Sequence, residues 1–284
     1  MAGYMYLGSQ KVCPAVLMGG GESDIIPQTV EDGAYKGISL TEFKLPDDAV
    51  TIDSNTQNVL KACFIFNNSY SEGPAWTQTI NFNNLQSVYG PNSFYDMCTY
   101  SSSVTSVTAP ELEYINAESA FYRAFFTCPN ITSCSFPKLK EIRGSYACHS
   151  MFTGCESLDT VDFSSLEVIG EDPQDPSYLA AAALLLGTKV ETIRFPSLKY
   201  IYPYQACWRM FMNCYSLKDV YFNSLRSDAF GTEYNNQFLA LVQNTTGVKL
   251  HFPSNLSSVI PTLSNYPDFN GTNTVILYDL PATE

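Results

Sequence analysis

The chain has 284 residues, of which 45% are hydrophobic and only 15% charged, and its net charge is −13. That apolar fraction supports a packed core in one large or two modest domains and excludes wholesale disorder. The acidic balance repels phosphate backbones, which argues against nucleic-acid binding. The longest apolar run, Leu179 to Leu186, is far short of the ~20 residues of a membrane-spanning helix, so no membrane insertion is expected.

In chain order, residues 1–22 come first. Two short strands are predicted around the Gly8-Ser9 turn of YMYLGSQKVCPAVLM, followed by a Gly19-Gly20-Gly21 hinge. No basic cluster precedes the apolar residues, because the first Lys is Lys11. This is not the pattern of a secretory signal, so synthesis in the cytoplasm is expected. The nine Cys include no CxxC pair. In a reducing compartment an odd count without such pairs argues against disulfides and structural zinc. Residues 23–78 read as an N-terminal cap, in which FKLPDDAVTI from Phe43 forms a degenerate first coil.

Residues 79–252 repeat. TINFNNLQSV, TSCSFPKLKEI, DTVDFSSLEVI, ETIRFPSLKYI and KDVYFNSLRSD align on Phe82, Phe136, Phe163, Phe195 and Phe222, with Ala109 and Phe252 completing the series. The spacing is 27 residues except for 32 between Phe163 and Phe195 and 30 before Phe252. Leu85, Leu112, Leu139, Leu166, Leu198 and Leu225 each follow by three residues. A unit this thin cannot bury its own apolar face, and stacking closes the core. The expected fold is a right-handed α/β repeat solenoid with a parallel sheet on one face. Val161, Phe163, Leu166 and Ile169 are expected to point inward. Opposite the sheet, SAFYRAFF and AAAALLL are predicted as short helical segments. Cys128, Cys155 and Cys214 stand eight residues before the aligned Phe, and Cys148 and Cys207 fifteen before it. Such a register fits a buried column in which Cys packs as a small hydrophobe.

The units SMFTGCESLDTVDFSSLEVIG and RMFMNCYSLKDVYFNSL resemble BspA-like leucine-rich repeats over roughly residues 79–252. The resemblance implies a leucine-rich-repeat solenoid and a role as a surface adhesin or interaction module. Two departures stand out. Gly187 occupies the place of an expected Cys, and the segment EDPQDPS, residues 171–177, reads as a protruding acidic loop. Residues 253–284 break the period and read as an atypical C-terminal cap. The N-terminal segment and this cap are similar to segments of structural proteins from phages and prophages of Gram-positive gut bacteria.

Catalytic signals are weak. His149 beside Cys148 suggests a nucleophile pair, but neighbours on extended chain point apart, so His149 is expected to face solvent. His251 has no evident partner. The carboxylate pairs Asp47-Asp48 and Glu171-Asp172 lie in acidic, Pro-containing loops. No catalytic residue, metal or cofactor is expected. The outward strand positions are more informative, because they vary over a constant core. Ser135, Asp162, Arg194 and Tyr221 form one outward row, and Thr160, Thr192 and Asp219 a second. Tyr with Ser and Asn is a composition suited to contact surfaces. The expected function is non-enzymatic recognition by a virion (tail) protein, with a host-surface protein or glycan, or other virion proteins, as partners. The alternatives are a BspA-type bacterial surface adhesin and a carbohydrate-active enzyme on a solenoid scaffold.

Overall fold

The computed structural model describes residues 3–7, 10–15, 42–44, 51–52, 79–170, 178–202, 205–230, 236–263 and 269–284. The glycine hinge, most of residues 23–78 and the 171–177 loop lie outside them. At the N-terminus β1 (Gly3–Leu7) and β2 (Gln10–Ala15) pair antiparallel.

The rest is a parallel-sheet solenoid. One strand ladder joins β3 (Glu42–Lys44), β5 (Thr79–Asn81), β7 (Ser106–Thr108), β9 (Ser133–Ser135) and β11 (Thr160–Asp162). Farther along the same coils a second ladder joins β4 (Thr51–Ile52), β6 (Ser87–Val88), β8 (Tyr114–Asn116), β10 (Glu141–Arg143), β12 (Val168–Ile169) and β14 (Tyr200–Ile201). The coils from β3 to β14 therefore carry strands on two sides, where a single sheet face was expected. Of the segment expected as a degenerate first coil, Phe43 and Lys44 pair with β5, and Thr51 and Ile52 with β6. Register is residue on equivalent residue, as in Val107 against Cys134 and Cys134 against Val161.

A third, separate sheet contains β13 (Thr192–Phe195), β15 (Asp219–Phe222), β16 (Lys249–Pro253) and β17 (Val275–Leu280). No ladder joins β11 to β13, although the second ladder runs through the same coils without interruption. The first sheet is thus split where the coil is longest. Val161, expected inside, is only half-buried at this break. Phe163, Leu166 and Ile169 are buried as expected.

The aligned rings stack along the axis, with Phe136 and Phe163 at 5.5 Å, Phe195 and Phe222 at 5.7 Å, and Phe222 and Phe252 at 5.1 Å. Burial of these rings and the aligned Leu side chains is the main favourable term in the fold.

The predicted helices are absent. SAFYRAFF and AAAALLL instead form consecutive turns on the third side of each coil. Every second amide donates to the next coil: Phe121 to Ala147 at 2.7 Å, Arg123 to His149 at 3.0 Å and Phe125 to Met151 at 3.0 Å. The amides between them turn back three residues, as Tyr122 does to Ser119 and Ala124 to Phe121. Ser119, Arg123 and Thr127, four apart, have φ of 52°, 53° and 54°. Left-handed residues at every fourth position cannot belong to an α-helix. Satisfying the backbone between coils overrides the helix propensity of the Ala-rich segment.

At the corner after these turns Ser101, Cys155, Thr188, Cys214 and Thr245 each end a turn on the carbonyl three residues back. Thr188, and not Gly187, therefore fills the place of the expected Cys. Thr188 Oγ donates to the Leu185 carbonyl at 2.9 Å, to which Cys214 Sγ also donates at 3.0 Å. Gly187 lies over Gly154 instead. The neighbouring corners run Cys155-x-x-Leu158 and Cys214-x-x-Leu217, whereas this one is Thr188-x-Val190. It is one residue short.

Candidate recognition surface

The break in the first sheet divides the outward positions singled out from the sequence. Ser135 pairs with Asp162, and Thr160 with Ser133, in the first ladder. Asp162 turns its carboxylate back to accept from the Ser164 amide at 3.0 Å. Beyond the break Arg194 pairs with Tyr221, and Thr192 with Asp219. Asp162 and Arg194 make no ion pair. The candidate surface is thus two patches.

The second patch is the more organised. Parallel register puts Arg194, Tyr221 and His251 in one row across β13, β15 and β16. The Arg194 guanidinium lies 3.7 Å from the centroid of the Tyr221 ring. Tyr221 stacks on His251 at 4.0 Å with the rings 9° from parallel. His251 is held from both sides, with Nε2 3.0 Å from Asp219 Oδ1 and Nδ1 2.9 Å from Asp279 Oδ2. It is 6% exposed, although it stands in an outward position. The partners that its sequence context does not reveal come from β15 and β17. Asp219 therefore positions the stack, while Arg194 is exposed at its other end.

Most other cations are occupied. Lys140 pairs with Glu113, Lys199 with Glu167 and Lys218 with Glu191, each at 2.6 Å and each between successive coils. Arg194 has no carboxylate partner among the described residues. A cation lying on an aromatic face keeps its hydrogen-bonding edge available for a ligand.

On the turn side a second aromatic row was not anticipated. Tyr95 stacks on Tyr122 at 4.8 Å, and Tyr122 on His149 at 5.3 Å. His149 is half-buried, not facing solvent, and its Nδ1 is 2.9 Å from Ser150 Oγ. Burial, with a smaller push from Arg123, lowers its pKa to about 4. Neighbouring Cys148 is fully buried, and burial raises its thiol well above the usual range. The pair thus offers neither a thiolate nor a geometry for nucleophilic attack. Burial pushes the Cys155 thiol up to about 12 and raises Cys98, Cys128, Cys134, Cys207 and Cys214 as well.

Stacked coils with a repeating Phe and Leu core define a parallel-sheet repeat solenoid. Residues 65–173 match the family described as BspA type leucine rich repeat region, in six copies, and so carry repeats of that type. Among solved structures, a leucine-rich repeat protein from Bacteroides ovatus is similar at 14% identity, over 88% of this chain and 87% of that one, with a TM-score of 0.25. A leucine rich cell surface protein from Faecalibacterium prausnitzii is similar at 14% identity, over 86% and 82%, with a TM-score of 0.19. No curated protein matches the chain.

Proposed function

We propose that the protein is a non-enzymatic recognition module that contacts a host-surface protein or glycan, with a phage or prophage virion as its carrier. The observation that carries the reading is the Arg194–Tyr221–His251 stack. Arg and Tyr dominate binding energies where they are preorganised and partly desolvated. Here Asp219 and Asp279 fix His251, His251 fixes Tyr221, and Tyr221 supports Arg194, which has no carboxylate partner among the described residues. The N-terminal segment's similarity to phage structural proteins supports the virion as carrier. The test is binding of the purified protein to a panel of Gram-positive gut bacteria, comparing wild type with an Arg194→Ala, Tyr221→Ala double variant of unchanged melting temperature. Loss of binding supports the reading, and undiminished binding removes this face from it.

A further inference from the structure

The short corner at Thr188 leaves a notch in the solenoid. The coils on either side present the longer corners Cys155-Glu156-Ser157-Leu158 and Cys214-Tyr215-Ser216-Leu217, and between them the chain passes from Thr188 through Lys189 directly to Val190. The result is a surface cavity of about 440 Å³ lined by Glu156, Lys189, Asn213, Tyr215 and Ser216. Gly154 and Gly187 form its floor, where no side chain fills the space. Both have positive φ, at 74° and 71°, and a side chain at Gly187 would meet nothing nearer than 3.8 Å. The size falls within the ~300–1,000 Å³ of small-ligand sites.

We infer that this notch is a saccharide-binding subsite that takes one or two sugar units. The inference rests on the recognition reading above and names a ligand class for it. Tyr215 is 79% exposed, the largest exposure among the big apolar side chains described. An aromatic face held out beside a cavity suits the flat C–H face of a pyranose, which buries apolar area without requiring an apolar pocket. Around it stand a carboxylate, an ammonium, an amide and a hydroxyl from Glu156, Lys189, Asn213 and Ser216. Vicinal hydroxyl groups both donate and accept, so they match a mixed set of this kind. Glu156 and Lys189 form no ion pair with each other, which leaves both for a ligand. Phosphate-rich ligands are disfavoured by Glu156, and the apolar side chains of the lining, Leu186 and Tyr215, suit the C–H face of a sugar. Among the described residues one carboxylate lines the notch, whereas glycoside hydrolysis ordinarily uses two, so binding and not cleavage is the role inferred.

The test titrates the full chain by saturation-transfer NMR and calorimetry with N-acetylglucosamine trimer, galactose, mannose and sialyllactose. At least one of these is expected to bind wild type. Tyr215→Ala is expected to weaken that binding about tenfold or more, as loss of an aromatic anchor does. Glu156→Gln also weakens it, while Arg194→Ala leaves it unchanged. Because Tyr215 is exposed, its variant folds, and an unchanged melting curve verifies this. No binding by any of the four saccharides, or equal binding by wild type and Tyr215→Ala, overturns the inference. Cells bound through Arg194 and Tyr221 by a protein that binds no sugar would leave the recognition reading standing and remove this one.

Discussion

Replacing Phe222 by Ala tests the axial stack where it is best developed. The ring is 1% exposed. It contacts Phe195 at 5.7 Å, Phe238 at 5.4 Å and Phe252 at 5.1 Å. Among the described residues Phe163, at 3% exposure, stacks only on Phe136, at 5.5 Å, and the break in the sheet separates it from Phe195. Truncating a buried Phe costs about 3–5 kcal/mol. Each aromatic pair adds about 0.5–1.5 kcal/mol beyond area burial, so two additional pairs separate the sites by about 1–3 kcal/mol. Phe163→Ala should therefore fall near the bottom of the range and Phe222→Ala at its top. Urea melts followed by circular dichroism measure both, with the slope checked for constancy so that the midpoints report stability. Asp162→Ala, on the outer side, is the control and should stay within about 0.5 kcal/mol of wild type. Equal costs at Phe163 and Phe222, or the reverse order, would refute the argument that ring stacking grades the core.

Further outcomes follow from the thiols, His149 and two glycines. Thiol titration of the native protein should leave at least the seven buried Cys unreacted until denaturant is added, since burial disfavours their thiolates. More than two fast-reacting thiols among the nine would contradict their burial. His149 has a folded pKa of about 4, below the unfolded value of 6.5, so the unfolded chain binds its proton first. The stability it contributes is present above pH 6.5 and is lost as pH falls toward 4. His149→Phe should therefore lose less melting temperature than wild type between pH 7 and 4.5, and parallel losses would sink the assignment. Gly144→Ala should be far more disruptive than Gly187→Ala, as thermal melts will compare. Both positions have positive φ, which costs a side chain about 1–2 kcal/mol. At Gly144, however, the added carbon would lie 2.6 Å from the Ala117 backbone, against 3.8 Å for the nearest atom at Gly187.

Register was legible because Phe and Leu recur at the period of the stack, and a period of 27 survives any misreading of local structure. The turn side was not legible in the same way. Local propensity favours a helix for AAAALLL, and the competing bonds run to residues 25 or more positions away. One signal was present and could have been used. Gly154, Gly187, Asn213 and Asn244 share a register, and they are the residues that most readily take left-handed φ. The same applies to the notch. Aligning on Phe absorbs the one-residue shortening at Lys189 into the five-residue excess of the coil, and only the column of hydroxyls and thiols separates the two. Arg194 and Tyr221 could be placed together from their offset of 27. The clamp on His251 could not, because Asp279 lies on β17, beyond the last regular unit.

The charged row beside the second ladder constrains how a chain of this kind can lengthen or shorten. Successive backbone bonds stack Glu113, Lys140, Glu167 and Lys199 in one column, and the ion pairs form between neighbours within it. Excising the single coil that carries Lys140 would seat Glu167 on Glu113, and excising the next would seat Lys199 on Lys140. Like charges directly opposite are unfavourable, while removal of both coils restores opposite signs. Exposed pairs of this sort are worth about 0.2–1 kcal/mol each, so the bias is mild. Over these four coils it is nevertheless a parity rule: losing the Lys140 and Glu167 coils together meets less resistance than losing either alone, and the alternation ends at Arg226, whose amide bonds the Lys199 carbonyl.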